Sequence, residues 1–94
     1  MYRVIIQYDQ EPDATAYAGH AEVCQKVPGS SFRHGKVFGS PFGAPTHAYY
    51  AEWEFADRAS FDAGLASAEF GATLADLDAR GLARPASVEF AELA

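Results

Sequence analysis

The chain has 94 residues, of which 49% are hydrophobic, so it has the size and apolar content of one small domain with a packed core. Its 13 acidic and 7 basic side chains give a formal net charge of -6, which repels phosphate backbones and argues against nucleic acid as a partner. The single cysteine excludes an intrachain disulfide, and no apolar run reaches the roughly 18 residues of a membrane span.

The first strand is predicted over residues 2–8, YRVIIQY, because β-branched and aromatic residues dominate there. This N-terminal stretch lacks the basic-then-apolar plan of a signal peptide, so a cytoplasmic location is expected. Pro12 suits the first turn of a helix that runs to about Val27, where Pro28 and Gly29 end it.

The first helix carries one stripe of side chains at i, i+3, i+7 and i+10, namely Tyr17, His20, Cys24 and Val27. Cys24 lies one turn after His20, a spacing that would suit a metal pair or a thiolate nucleophile. No third ligand can be assigned, since His34 and His47 fall on separate strands. We therefore expect no metal and interpret Cys24 as a core residue.

A short second strand is predicted from about Phe32 to Phe38, followed by a loop rich in glycine and proline. The next strand, residues 47–55, shows the clearest alternation in the chain. Its apolar positions are Tyr49, Ala51, Trp53 and Phe55, and its other face carries Tyr50, Glu52 and Glu54.

The following segment is predicted to be helical, with Asp57 as N-cap, a break near Ser67 and an end at Gly81. Its expected buried positions are Phe61, Leu65, Phe70, Leu74 and Leu77. A last strand follows in PASVEFAEL, where Val88 and Phe90 alternate with polar or small residues.

The order βαββαβ predicts an α+β, ferredoxin-like domain over residues 1–94, with a four-stranded antiparallel sheet and two helices on one face. The other face keeps Ile5 and Tyr50, apolar surface that is unfavourable in water. We therefore expect a homodimer that pairs through this sheet face and encloses a cavity, a dimeric α+β barrel.

His20 is the candidate catalytic residue, because an imidazole titrates near neutral pH and can act as a general acid or base. The alternative is a half-buried histidine bonded to a backbone carbonyl. Gly19 adds weight to a functional role, since a glycine inside a helix costs about 1 kcal/mol relative to alanine and has a local reason.

The candidate substrate-binding residues are Tyr8, Tyr17, Phe38, Tyr50 and Glu52. The aromatic members would suit a planar or hydrophobic ligand, and ordinary packing is the alternative for each of them. Glu52 has the further alternative of a salt bridge with Arg3. No phosphate loop or dinucleotide motif is present, so no cofactor is predicted.

Three blocks of the chain resemble the EthD family of the dimeric α+β barrel superfamily. They are MYRVIIQY, the helix segment with His20, Val23, Val27, Pro28 and Gly29, and AEWEFADRASFDAGLASAE. The resemblance implies a ferredoxin-like protomer, dimerisation through the sheets, and a small-molecule pocket near the first helix, with His20 as the family histidine. Glu22 stands where the family commonly has proline.

EthD-like proteins are associated with ethyl tert-butyl ether degradation, and the superfamily includes cofactor-free monooxygenases and isomerases. The resemblance therefore implies binding of a small hydrophobic organic compound, with oxidoreductase or isomerase activity and His20 in proton transfer. Two alternatives stay open: a non-catalytic ligand-binding or accessory protein of a degradation pathway, and a structural dimer whose cavity is filled.

Overall fold

The computed structural model describes residues 1–94 and contains four strands and three helices. The strands are β1 (Tyr2–Tyr8), β2 (Ser30–Lys36), β3 (Tyr49–Phe55) and β4 (Ser87–Glu92). The helices are α1 (Ala14–Cys24), α2 (Arg58–Leu65) and α3 (Ala68–Ala79). The predicted α+β fold with a four-stranded antiparallel sheet is confirmed.

The sheet has the order β2-β3-β1-β4, so β1 and β3 occupy the centre. Val4 pairs with Trp53 and Ile6 with Ala51 across these central strands, and all four side chains are buried on the face that the helices cover. The period-2 pattern of β3 therefore identified the core face correctly. None of the helices is long and apolar enough to span a bilayer.

Helix α1 begins at Ala14, two residues after Pro12, because the Asp13 carboxylate accepts a hydrogen bond from the backbone N–H of Ala16 at 2.9 Å and caps the helix. The helix ends at Cys24 and not at Val27. The predicted stripe is nevertheless buried in full, including Val27, which lies just beyond the helix end.

The predicted break near Ser67 separates α2 from α3, and Ser67 itself caps the second of them. Its hydroxyl donates to the carbonyl of Gly64 at 2.6 Å and accepts from the N–H of Phe70 at 3.1 Å. One side chain therefore bonds to the end of α2 and to the start of α3.

Strand β4 is less covered than its sequence pattern suggested. Val88 and Phe90 lie on the helix side of the sheet, yet both are exposed, and Leu74 of α3 is exposed as well. The prediction that Leu74 is buried was wrong. The reason is geometric, since α3 packs on α1 and α2 and leaves the sheet beneath it open towards β4.

Candidate functional site

A cavity of about 370 Å³ lies between the sheet and α3, where that helix stands away from the strands. The sheet contributes Ile6, Trp53 and Val88, and α3 contributes Phe70, Leu74 and Leu77. The polar groups on the wall are few, and the imidazole of His20 is one of them. A largely apolar cavity with few polar groups is typical of small-molecule sites.

His20 is only 4% exposed, and both of its ring nitrogens have partners. Nδ1 lies 2.8 Å from Oδ2 of Asp76 on α3, and Nε2 lies 3.3 Å from Sγ of Cys24. An ionised carboxylate can only accept, so Nδ1 carries the hydrogen and donates it to Asp76. In the neutral ring, Nε2 then accepts from the Cys24 thiol. The partners of His20 are therefore side chains, and not the backbone carbonyl of the alternative interpretation.

Asp76 is the group that orients His20. Burial alone would raise its pKa, but hydrogen bonds from His20 and Arg80 outweigh burial and hold the pKa below its ordinary value. Nε of Arg80 donates to the same Oδ2 atom at 2.9 Å. The carboxylate is therefore ionised at neutral pH and fixes the tautomer of the imidazole.

Gly19 explains how Arg80 reaches Asp76. A Cβ at position 19 would overlap the Arg80 guanidinium, so the glycine allows that side chain to lie against α1. The mid-helix glycine has a local reason, as expected, but the group that approaches it is an arginine and neither a ligand nor a backbone segment.

Cys24 is fully buried, and burial together with the nearby charge of Asp76 raises the pKa of its thiol to about 12. The thiol is therefore protonated at neutral pH, which excludes a thiolate nucleophile. His20, Cys24 and Asp76 do not form a group that could hold a metal ion. The two nitrogens of the ring face different partners, so the three side chains do not converge on one point.

The structure brings two of the six predicted site residues, His20 and Tyr8, to the cavity wall. Tyr17 is buried next to them and shares a hydrogen bond of 2.9 Å between its hydroxyl and that of Tyr8, without lining the cavity. Its edge also packs on the His20 ring, with 5.3 Å between the ring centroids. Tyr17 thus contacts two residues of the cavity wall and lies outside the wall itself.

Phe38 does not reach the cavity, since it lies 95% exposed in the loop between β2 and β3. Tyr50 and Glu52 lie on the sheet face that the helices leave uncovered. There, Arg33 donates to Glu52 at 2.6 Å, and the Tyr50 hydroxyl donates to its other oxygen at 2.9 Å.

The same uncovered face holds the predicted pair of Arg3 and Glu52 at 3.7 Å, and a shorter one of 2.7 Å between Arg3 and Glu54. Burial would raise the pKa of Glu52, but the hydrogen bonds from Arg33 and Tyr50 and the positive charges of Arg3 and Arg33 outweigh burial and lower that pKa. The face is thus more polar than Ile5 and Tyr50 suggested.

Sequence reasoning missed Asp76, and it missed the contribution of α3 to the cavity. Asp76 and His20 are 56 residues apart, and nothing in their local patterns links them. One usable signal was present: Asp76 and Arg80 are i, i+4 partners near the end of a predicted helix, on the same side as Leu77.

Neither a scan against protein-family models nor a search of curated proteins finds a match. Solved structures do match. An EthD family protein from Bacillus halodurans C-125 superposes with a TM-score of 0.76 at 22% identity, covering 100% of this chain and 99% of that one.

Two further solved structures have lower TM-scores. A dimeric ferredoxin-like protein of unknown function from Jannaschia sp. CCS1 has a TM-score of 0.61 at 19% identity and covers 98% and 97% of the two chains. An antibiotic biosynthesis monooxygenase has a TM-score of 0.52 at 17% identity and covers 100% and 99%. The chain thus has the ferredoxin-like fold of an EthD family protein over its whole length, and the resemblance predicted from the sequence is confirmed at the level of the fold.

Proposed function

We propose that the protein binds a small, largely apolar organic molecule in the cavity beneath α3 and that His20 exchanges a proton with it. The observation that carries this proposal is the position of His20, which lies on the wall of a largely apolar cavity and is held in one tautomer by an ionised carboxylate. A base held in this way is suited to general acid–base catalysis.

For His20 to act, its Nε2 must exchange the Cys24 thiol for an atom of the ligand. A thiol is a weak hydrogen-bond donor, so a hydroxyl or an acidic C–H competes with it for Nε2 at small cost. The proposed reaction is proton abstraction at an activated C–H, as in an isomerase or a cofactor-free monooxygenase. The fold shared with an antibiotic biosynthesis monooxygenase supports this class.

A second candidate is a non-catalytic binding or accessory protein. It is favoured by the hydrogen bond between Nε2 of His20 and the Cys24 thiol, which leaves both ring nitrogens occupied. In that case His20 is a polar part of the wall, and the ligand meets it without proton transfer.

The test uses α-tetralone, an apolar ketone with an activated C–H. Trp53 is the only tryptophan and lines the cavity, so its fluorescence reports binding directly. Gly71 also lies on the wall, and a Cβ added there meets no atom within 4 Å. Gly71→Leu should therefore narrow the cavity and weaken the fluorescence response.

Deuterium exchange at the C–H next to the carbonyl, followed by NMR, separates the two candidates. Under the first, His20→Gln slows exchange by about 10²-fold, the scale of general base catalysis, whereas the control His34→Gln, at an exposed histidine outside the cavity, leaves it unchanged. Binding without accelerated exchange identifies the second candidate. No fluorescence change at all contradicts both.

We further propose that two copies pair through the uncovered sheet face. Arg3 and Arg33 neutralise Glu52 and Glu54 on this face, which leaves Glu89 beside Ile5 as its one uncompensated charge, and Ile5 and Tyr50 add apolar area. The dimeric ferredoxin-like protein with this fold supports the arrangement.

Ile5→Lys should yield monomers in analytical ultracentrifugation, while Phe42→Lys, on the exposed loop, should not. A monomeric wild type contradicts the proposal.

A further inference from the structure

Three apolar side chains are exposed around the entrance of the cavity. Leu74 on α3 is 48% exposed, and Val88 and Phe90 on β4 are 51% and 63% exposed. Scattered apolar residues are normal on a protein surface, but a contiguous group beside a cavity marks a binding surface.

These residues continue the cavity wall outwards. Leu74 and Val88 are themselves part of the wall. Phe90 follows Val88 on the same face of β4, and its ring packs edge-on against Phe61 with 5.2 Å between the centroids. An apolar path therefore runs from the inner wall near His20, past Leu74 and Val88, to Phe90.

The charges at the inner end decide what can be bound there. The cavity wall contains no lysine, arginine, aspartate or glutamate. Next to His20 lies the ionised carboxylate of Asp76, and the guanidinium of Arg80 is bonded to that carboxylate. A ligand anion in the cavity would lose its hydration without gaining a cationic partner, which is costly.

We infer that the ligand is an elongated neutral molecule, with one hydrogen-bonding oxygen at His20 and an apolar tail that leaves through the entrance over Leu74, Val88 and Phe90. This inference rests on the proposed function and specifies the substrate class of the same cavity. A hydroxyl head donates its hydrogen to Nε2 of His20, and a carboxylate head is rejected.

The test titrates a series of unbranched primary alcohols, from hexanol to dodecanol, and the carboxylates of the same lengths, read by Trp53 fluorescence at neutral pH. Each added methylene that is buried should tighten alcohol binding by about fourfold. At equal length, the carboxylate should bind at least about tenfold more weakly, the factor that corresponds to about 1.4 kcal/mol.

Variants at the entrance locate the tail. Leu74→Ala, Val88→Ala and Phe90→Ala replace exposed side chains and are expected to fold. Each should weaken binding of dodecanol severalfold. Phe90→Ala should leave hexanol unchanged, because Phe90 lies outside the cavity wall. Phe42→Ala makes the same substitution as Phe90→Ala at a residue that is 96% exposed on the distant loop, and it should change neither.

The outcomes separate this inference from the proposed function. If hexanol binds but dodecanol binds no tighter, or if Phe90→Ala and Phe42→Ala behave alike, the elongated ligand is refuted while the cavity site stands. Equal affinity for alcohols and carboxylates refutes the neutral head. If no alcohol binds, both proposals fail. If the entrance variants change the sedimentation coefficient and not the affinity, the exposed strip is a contact between copies and the inference fails.

Discussion

A chain of side chains connects Gly19 to the proposed reacting group. The glycine makes room for Arg80, Arg80 bonds to Asp76, and Asp76 holds His20. Only the histidine lies on the cavity wall, so the other residues act through it. Asp76 and Arg80 are positioning residues in this arrangement.

Gly19→Ala should gain less stability than the same substitution at Gly71. Both glycines lie inside helices, where alanine is favoured by about 1 kcal/mol. At Gly71 the new methyl group meets no atom within 4 Å, whereas at Gly19 it displaces Arg80. Urea unfolding of the two variants measures the difference; equal gains would show that Arg80 does not depend on the glycine.

The Cys24 thiol should resist modification in the native protein. It is fully buried, and its raised pKa leaves almost no thiolate at neutral pH. Labelling with a disulfide reagent should be slow without denaturant and fast in concentrated urea. Rapid labelling of the folded protein would contradict the hydrogen bond with His20, because a buried, protonated thiol is unreactive.

At this scale the sequence predicted His20, Cys24 and the burial of their stripe, because these depend on local helical spacing. It did not predict their connection. The sequence indicated only a packing role for Cys24, and the structure shows Cys24 to be both part of the core and hydrogen-bonded to the histidine. Side-chain hydrogen bonds depend on rotamers, which spacing does not specify.

Among the elements, the junction of α2 and α3 depends most on a single side chain. Ser67→Ala removes the hydroxyl that bonds to both helices and should lower the free energy of unfolding by about 1 kcal/mol, the usual cost of losing an N-cap. Ser31→Ala, at an exposed position of β2, provides the matched control and should be neutral. Thermal unfolding followed by circular dichroism measures both; equal effects would contradict the capping role.

The existence and order of the elements could be predicted because periodicity and capping residues are local signals. The distance between α3 and the sheet could not be predicted from these signals. That distance depends on how α3 packs against α1 and α2, and it leaves Leu74 and Val88 exposed although their spacing is typical of core positions. The cavity, and therefore most of the candidate site, follows from this packing.

For the whole molecule, stability should fall in acid. Four carboxyls, those of Glu52, Asp57, Asp76 and Asp78, have pKa values below their ordinary ones. Each contributes stability above its unfolded pKa, near 4.5 for glutamate and 3.8 for aspartate, and that contribution is lost as the pH falls through the lower folded value. The free energy of unfolding should therefore decrease progressively below about pH 5.

Asp76→Asn measures the share of one carboxyl in this acid dependence. The variant should be less stable than wild type at neutral pH, and the difference should shrink as the pH falls below the ordinary aspartate value of 3.8 and through the lowered pKa of Asp76. Asp9→Asn, at an exposed carboxyl, is the matched control. A difference that does not change with pH would show that the pairing of Asp76 adds nothing through its charge.

The loop between β2 and β3, with its exposed Phe38 and Phe42, divides the chain into two fragments that share the cavity. His20 lies in the first fragment, and Asp76 and all of α3 lie in the second, while β2 and β3 are paired along their length. A protease that cleaves after aromatic residues should nick this loop without dispersing the fragments. Separately expressed fragments should reassemble into one sheet, and a molecule that fills the cavity would hold them together, so the protein offers a scaffold for ligand-dependent fragment complementation.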